Sequence, residues 1–234
     1  MTRRLLISPH PDDAVWSCGG VMGEWAAADQ SLTVVTVFDG DPSAPGPAAR
    51  GATEPALRRR EDAAALARWP LTRISLGLPE ALFRHDPDGR ALYPGPLAVR
   101  RRVHPADESL TVRVAQALRP LLMRCDEVLL PLAAASHVDH VIAREAAEFA
   151  LGDLAPPAVR YYAEFPYPTR LPQGLTAHRQ PADFDAWLRA ALVYRSQVEG
   201  MFGSAPRLAR ALFRHAYEAG TPVWRSWTPS AARY

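Results

Sequence analysis

Two short stretches hold most of the side chains that could do chemistry: Ser8-Pro9-His10-Pro11-Asp12-Asp13 and Ser136-His137-Val138-Asp139-His140. Imidazole and carboxylate are nitrogen and oxygen ligands of the kind Zn²⁺ takes, and two prolines stiffen the turn that presents His10, Asp12 and Asp13. In the second stretch two histidines three apart enclose an acid, and a carboxylate beside an imidazole can choose its tautomer. Each stretch alone also has a plainer reading. Asp12 or Asp13 could be a helix N-cap, as could Ser136 or Asp139, with the histidines solvated. Together they supply two histidines and a carboxylate for an open three-ligand zinc site, with an acid and a histidine to spare. A hydrolytic metal site is built from those parts.

Such a site needs elements that bring residues 10 and 140 together. Apolar, β-rich runs alternate with helical patterns along the chain. Strands are expected at Leu5-Leu6-Ile7, 32–38, 74–78, 127–132, 159–165 and 223–227, and helices near 14–28, 55–69, 107–124, 138–151, 182–202 and 204–219. Pro55 stands where a helix tolerates proline, at its start. This alternation predicts an α/β fold of Rossmann-like kind, with a mostly parallel sheet and helices on both faces, in one domain over residues 1–234. Ligands in such folds sit beyond the carboxyl ends of the strands, and both His/Asp stretches follow a strand. A Pro, Gly and Ala-rich loop is expected at 41–53. The polar, Pro/Gly-punctuated stretch 79–104 is expected to be a mobile rim of the same pocket.

Composition narrows the chemistry further. The 234 residues are 48% hydrophobic, enough to fill a core, and the 27 basic side chains are all arginine, so no Schiff-base or P-loop lysine exists. The net charge of +2 comes from scattered arginines mixed with 25 acids, which argues against nucleic acid as a partner. Cys18 and Cys125 lie far apart with no CxxC pair, as in a reducing compartment. With no signal-like start and no apolar run long enough for a membrane span, the chain is expected to be cytoplasmic.

Residues 8–20, SPHPDDAVWSCGG, together with SHVDH at 136–140, resemble the LmbE/PIG-L family of zinc-dependent de-N-acetylases. Arg58-Arg-Arg-Glu61 resembles that family's RxxE helix, the Tyr162–Tyr167 segment its aromatic-acid-Pro-Tyr segment, and Tyr194-Arg-Ser-Gln197 a C-terminal helix motif of a bacterial subgroup. The resemblance implies Zn²⁺ held by His10, Asp13 and His140, with Asp12 as general base. It implies that His137 polarises the carbonyl or protonates the leaving amine, and that Asp139 holds His137. It further implies a Rossmann-like fold and hydrolysis of an N-acetyl or other N-acyl group from an amino sugar or glycosylated metabolite. Two alternatives stand beside this: an amidase acting on a thiol-sugar conjugate, and a non-catalytic zinc- or sugar-binding protein. The substrate partner is a small N-acetylated sugar or glycoconjugate, and a homo-oligomer is compatible with the sequence. Two departures from the pattern are Ala14, where most members carry Glu, and Ala133-Ala-Ala-Ser136, where they are glycine-rich.

Candidate substrate contacts are Arg58, Glu80, Arg84 and Tyr167. Arg58 and Glu61, three apart on one helix, could equally be an exposed ion pair. Glu80, Arg84, His85 and Tyr93 lie in the 79–104 stretch. Arg84 is the expected anchor for a hydroxyl or phosphate, because guanidinium offers several donors in a fixed fork. His104, His178 and His215 lack partnered acids, and Trp187, Trp224 and Trp227 are expected in the core or an interface.

Overall fold

The computed structural model describes residues 2–27, 31–42, 54–152, 157–167 and 173–230, so most of the expected 41–53 loop and residue 28 of the first helix lie outside them. In chain order the elements are β1 (Arg3–Ser8), α1 (Asp13–Ala26), β2 (Ser31–Thr36), α2 (Pro55–Leu66), β3 (Thr72–Ser75), α3 (Glu108–Leu122), β4 (Glu127–Pro131), α4 (Val138–Leu151), β5 (Ala158–Tyr162), β6 (Leu175–Pro181), α5 (Phe184–Ala191), α6 (Arg195–Gln197), α7 (Ala205–Ala216), β7 (Tyr217–Glu218) and β8 (Thr221–Pro229). The sheet runs β3-β2-β1-β4-β5-β8-β6, with β7 paired to β8. From β3 to β5 every pairing is parallel, whereas β8 and β6 add to that edge in antiparallel sense. The expected α/β class with a mostly parallel sheet is therefore the observed one.

Alternate residues of the central strands feed two cores, which is why these strands read as continuous apolar runs. Leu6, Val34 and Leu129 pack under α1, α2, α5 and α7. Leu5, Ile7, Val35, Val128 and Leu130 pack against α3 and α4 on the other face. Helix α1 has almost no solvent face, and its close packing depends on two glycines. A Cβ on Gly19 or Gly20 would come within 2.6 Å of the Trp187 indole of α5. Trp187 and Trp224 are core residues as expected, and their indole N–H groups donate to the carbonyls of Trp16 and Ser17.

One expected element differs and one strand is new. The helix at 182–202 stops after Ala191, because Tyr194 and Ser196 turn aside to bond α2. The Tyr194 hydroxyl donates to Asp62 at 2.8 Å, and the Ser196 amide donates to Glu61 at 2.9 Å. A short α6 and a π-helical turn at Val198–Phe202 follow instead. Strand β6 was not expected: its LTAHRQP sequence is mostly exposed and ends in proline, and only its pairing with β8 makes it a strand.

Candidate active site and metal centre

The His/Asp groups and the acid behind them hang from the carboxyl ends of parallel strands. His10, Asp12 and Asp13 follow β1, His137 to His140 follow β4, and Glu164 follows β5. Strand order reverses between β1 and β4, with β2 and β3 on one side and β5 on the other, and this is where a doubly wound sheet opens a crevice. Neither N-cap reading of the carboxylates describes these turns. Asp12 occupies the N-cap position of α1 without capping through its side chain, while Ser8 Oγ accepts from the Ala14 amide at 3.0 Å. Asp12 is held at φ 105°, a left-handed conformation that costs a non-glycine residue on the order of 1–3 kcal/mol and clusters at functional sites. Ala133 and Ser136 also have positive φ, in the turn where a glycine-rich sequence would be unstrained.

The three imidazoles of His10, His137 and His140 form a triangle with ring centroids 5.0 to 5.2 Å apart, and one nitrogen from each lies within 4.8 Å of the others. Hydrogen bonds sort their roles. His10 Nε2 donates to Asp139 Oδ2 at 2.8 Å, which leaves Nδ1 facing Asp13 Oδ2 at 3.2 Å. His140 Nδ1 donates to Glu164 Oε1 at 3.1 Å, which leaves Nε2 facing the same Asp13 oxygen at 3.3 Å. That Nε2 is buried without a hydrogen-bond partner among the described residues. His137 is turned the other way, its Nδ1 accepting the Asp139 amide at 3.3 Å, so in the neutral ring the proton sits on Nε2. Burial, with His10 and His140 nearby, holds His137 well below the ordinary histidine value and keeps it neutral. Two inward ring nitrogens and one carboxylate oxygen meet at a common point. Burial disfavours a proton on either imidazole, but Asp13, with Asp139 and Glu164 behind, outweighs it and pushes His10 up to about 9 and His140 up to about 10, and a divalent metal fits there in place of those protons.

Around this point lies a cavity of about 220 Å³, lined on its polar side by Asp12, Arg58, Glu80 and His137 and on its apolar side by Trp16, Leu82, Val99, Phe165 and Met201. The Arg58 guanidinium donates to Glu80, to the Pro11 carbonyl at 2.9 Å and to Asp12 Oδ2 at 3.2 Å. Burial pushes the Asp12 carboxyl up; Arg58 pulls it back and Asp13 repels it upward. Asp13 is driven the opposite way: despite burial, His140 and His10 hold it well below the carboxylate range. Two adjacent acids thus take different states, one a ligand-type carboxylate and the other a carboxyl nearer to proton exchange.

The family model described as GlcNAc-PI de-N-acetylase (PIG-L) matches residues 5–151. The chain belongs to this family. It is 31% identical to 2'-N-acetylparomamine deacetylase of Streptomyces fradiae, with 98% of this chain and 82% of that protein covered. It is 26% identical to the enzyme of the same name from Niallia circulans, with 94% and 93% covered. Among solved structures it is similar to the zinc-inhibited form of teicoplanin deacetylase Orf2, with a TM-score of 0.81, 28% identity and 97% of each chain covered. Membership of the PIG-L family makes this chain a hydrolytic de-N-acetylase.

Several expectations for this PIG-L chain change with the structure. Asp139 holds His137 only through its backbone amide. Its carboxylate instead accepts from His10, from the Ala81 amide at 2.9 Å and from Arg84 at 2.6 Å, because the first turn of α4 aims that side chain away from His137. Arg84 is not a free anchor in the rim. It is buried, paired with Asp139 and with Asp107 at 2.8 Å, and stacked over Phe38 and Tyr93. Arg58 and Glu61 do not pair with each other: Glu61 binds Ser196, while Arg58 turns into the cavity beside Glu80. Tyr167 does line the cavity, its ring edge-on to His140. The 79–104 stretch contributes Leu82, Pro96, Val99 and Arg100 to the wall, and it is pinned by two 3₁₀ turns and a small core of Ala81, Tyr93, Val99 and Val138. Ala14 is buried away from the site, so the missing Glu there removes nothing from it. Sequence reading assigned Glu164 no role; its place just past β5, on the same sheet edge as His10 and His140, was the available signal.

Proposed function

We propose that this chain is a zinc-dependent hydrolase that removes the acetyl group from an N-acetylated amino sugar, alone or within a glycosylated metabolite. The observation that carries this reading is the sorting of the three histidines: His10 and His140 turn their second ring nitrogens toward the same Asp13 oxygen, while His137, accepting at Nδ1, keeps its N–H at Nε2 in the cavity wall. A bound zinc ion would supply Lewis acidity, lowering the pKa of water to around 7 and polarising the amide carbonyl. His10, Asp13 and His140 would hold it. Asp12 takes the proton of the attacking water and passes it to the leaving nitrogen as the C–N bond breaks, giving acetate and the free amine. His137 Nε2–H donates to the carbonyl oxygen as negative charge builds on it, a contribution on the order of 3 kcal/mol for one such donor. Because His137 is neutral, carbonyl polarisation rather than delivery of a proton to the amine is its role. Arg58, bound to Asp12 and Glu80, fixes the direction of the base, and Glu80 and Tyr167 offer the sugar hydroxyls partners.

The thiol-conjugate amidase gains no support from the two curated relatives, both named deacetylases, and pure binding has no use for both Asp12 and His137 facing the cavity. The single sheet spanning β3 to β6 supports one catalytic domain. The free thiols of Cys18 and Cys125 support a cytoplasmic location, and no helix among the described residues is long and apolar enough to cross a membrane. The test is release of primary amine by zinc-loaded protein from N-acetylglucosamine, its glycosides and 2'-N-acetylparomamine, with metal content measured in parallel. Protein that holds one zinc per chain yet releases amine from none of them would sink the proposal.

A further inference from the structure

Beside the metal cavity lies a second, larger depression of about 520 Å³ to which nothing above assigns a role. It is lined by Tyr93, Pro94, Pro96, Leu97, Arg101 and Arg102, among others. Pro96 belongs to both walls, so the two depressions adjoin there. Leu97 is 81% exposed, the most open large apolar side chain among the described residues. At the junction stand three consecutive arginines, Arg100, Arg101 and Arg102, all exposed. Arg100 lines the metal cavity with its guanidinium 5.4 Å from the centre of the Tyr167 ring, while Arg101 and Arg102 line the groove. No acidic side chain lines the groove, and among the described residues no carboxylate pairs with any of the three.

We infer that the natural substrate carries, next to its N-acetylated sugar, a part with an anionic oxygen group and an apolar face, received by Arg100, Arg101 and Arg102 over the groove of Tyr93, Pro96 and Leu97. This rests on the de-N-acetylase reading above and adds a substrate class to it. Charge and shape point the same way. Elsewhere around the site arginines are consumed internally: Arg58 by Glu80 and Asp12, and Arg84 by Asp139 and Asp107. Three guanidinium groups left unneutralised at the mouth attract carboxylate or phosphate and repel ammonium, so a polyamine sugar is disfavoured at this rim. The proline-rich wall is a rigid apolar surface that loses little entropy when covered. Because the two cavities adjoin at Pro96 and at the step from Arg100 to Arg101, the far part of the substrate is favoured as occupant over a separate molecule.

The decisive experiment compares kcat/KM for a set of N-acetylglucosaminides that share one aromatic aglycone bearing a carboxylate, a phosphate, a neutral ester or a trimethylammonium group. The wild-type enzyme should prefer the anionic arms over the neutral and cationic ones by tenfold or more, chiefly through KM, and the preference should shrink as salt is raised. The relative rates of the carboxylate and phosphate arms identify the anion. In the double variant Arg101→Glu/Arg102→Glu the order should reverse toward the cationic arm with zinc content unchanged; Arg101→Gln/Arg102→Gln should flatten it. Equal kcat/KM across the four arms, or a preference that survives both double variants, overturns the inference while leaving the deacetylase reading standing. A charge-reversed variant that changes sedimentation but not substrate preference also overturns it, making the groove a contact between copies of this chain. Amine release from none of the arms overturns the deacetylase reading and the inference with it.

Discussion

At the scale of single residues, the site is governed by where each carboxylate finds its partner. Asp12 faces the cavity beside the proposed ligands without serving an imidazole, so Asp12→Asn should keep stoichiometric zinc and lose at least about a hundredfold in kcat, as expected when a general base is removed. Metal analysis beside steady-state kinetics checks both halves, and near-normal turnover would move the base elsewhere. Arg84 makes a different prediction from the one its sequence position suggests. Its guanidinium neutralises Asp139 and Asp107 in the interior, so Arg84→Met leaves buried carboxylates uncompensated, a change that typically costs about 3–5 kcal/mol. Loss of stability in urea unfolding, together with weaker zinc retention because Asp139 no longer anchors His10 firmly, is the expected result. A variant of normal stability with only an altered KM would restore Arg84 to the substrate.

At the scale of elements, the loops that present the ligands are rigid because the helix behind them is clamped. Helix α1 starts at Asp13 and packs Gly19 and Gly20 flat against Trp187, so the turn carrying His10 and Asp12 is set by contact with α5. Two glycine substitutions in α1 should therefore diverge. Gly19→Ala drives a Cβ to 2.6 Å from the Trp187 ring, and overpacking of about 1–3 kcal/mol should exceed the helix-propensity gain of at most about 1 kcal/mol. Gly23→Ala is exposed and meets Trp69 only at an ordinary 3.4 Å, so propensity alone acts and stability should stay level or rise. Thermal unfolding of the pair decides it: equal effects from both would mean that α1 and α5 are not packed this tightly.

At the scale of the molecule, the proposed metal site lies on the fold without forming part of its cores. Two apolar cores, one on each face of the sheet, lie behind the site and include none of the side chains proposed to hold the metal. Removing zinc with a chelator should abolish amine release while leaving far-ultraviolet circular dichroism and cooperative unfolding in place, and added zinc should restore activity. Collapse of the cooperative transition on chelation would show that the metal is structural. His140→Ala should mimic the chelated enzyme and resist rescue by zinc.

The sequence by itself determined the local chemistry: the HPDD turn, the HVDH turn, the strands before them and the helices after them, because each is specified within about a dozen neighbouring residues. From strand alternation it also determined that both turns emerge on one edge of a parallel sheet. Only the tertiary structure decided which acid serves which base. The decisive pairs are separated by 22 residues for Arg58 and Glu80, 24 for His140 and Glu164, 55 for Arg84 and Asp139, and 129 for His10 and Asp139. Nothing in local spacing distinguishes a buried arginine neutralising two acids from an exposed one awaiting a ligand. Burial makes that choice, because a charge withdrawn from water must find its counter-charge inside the fold, whereas Arg100, Arg101 and Arg102, left at the surface, need not.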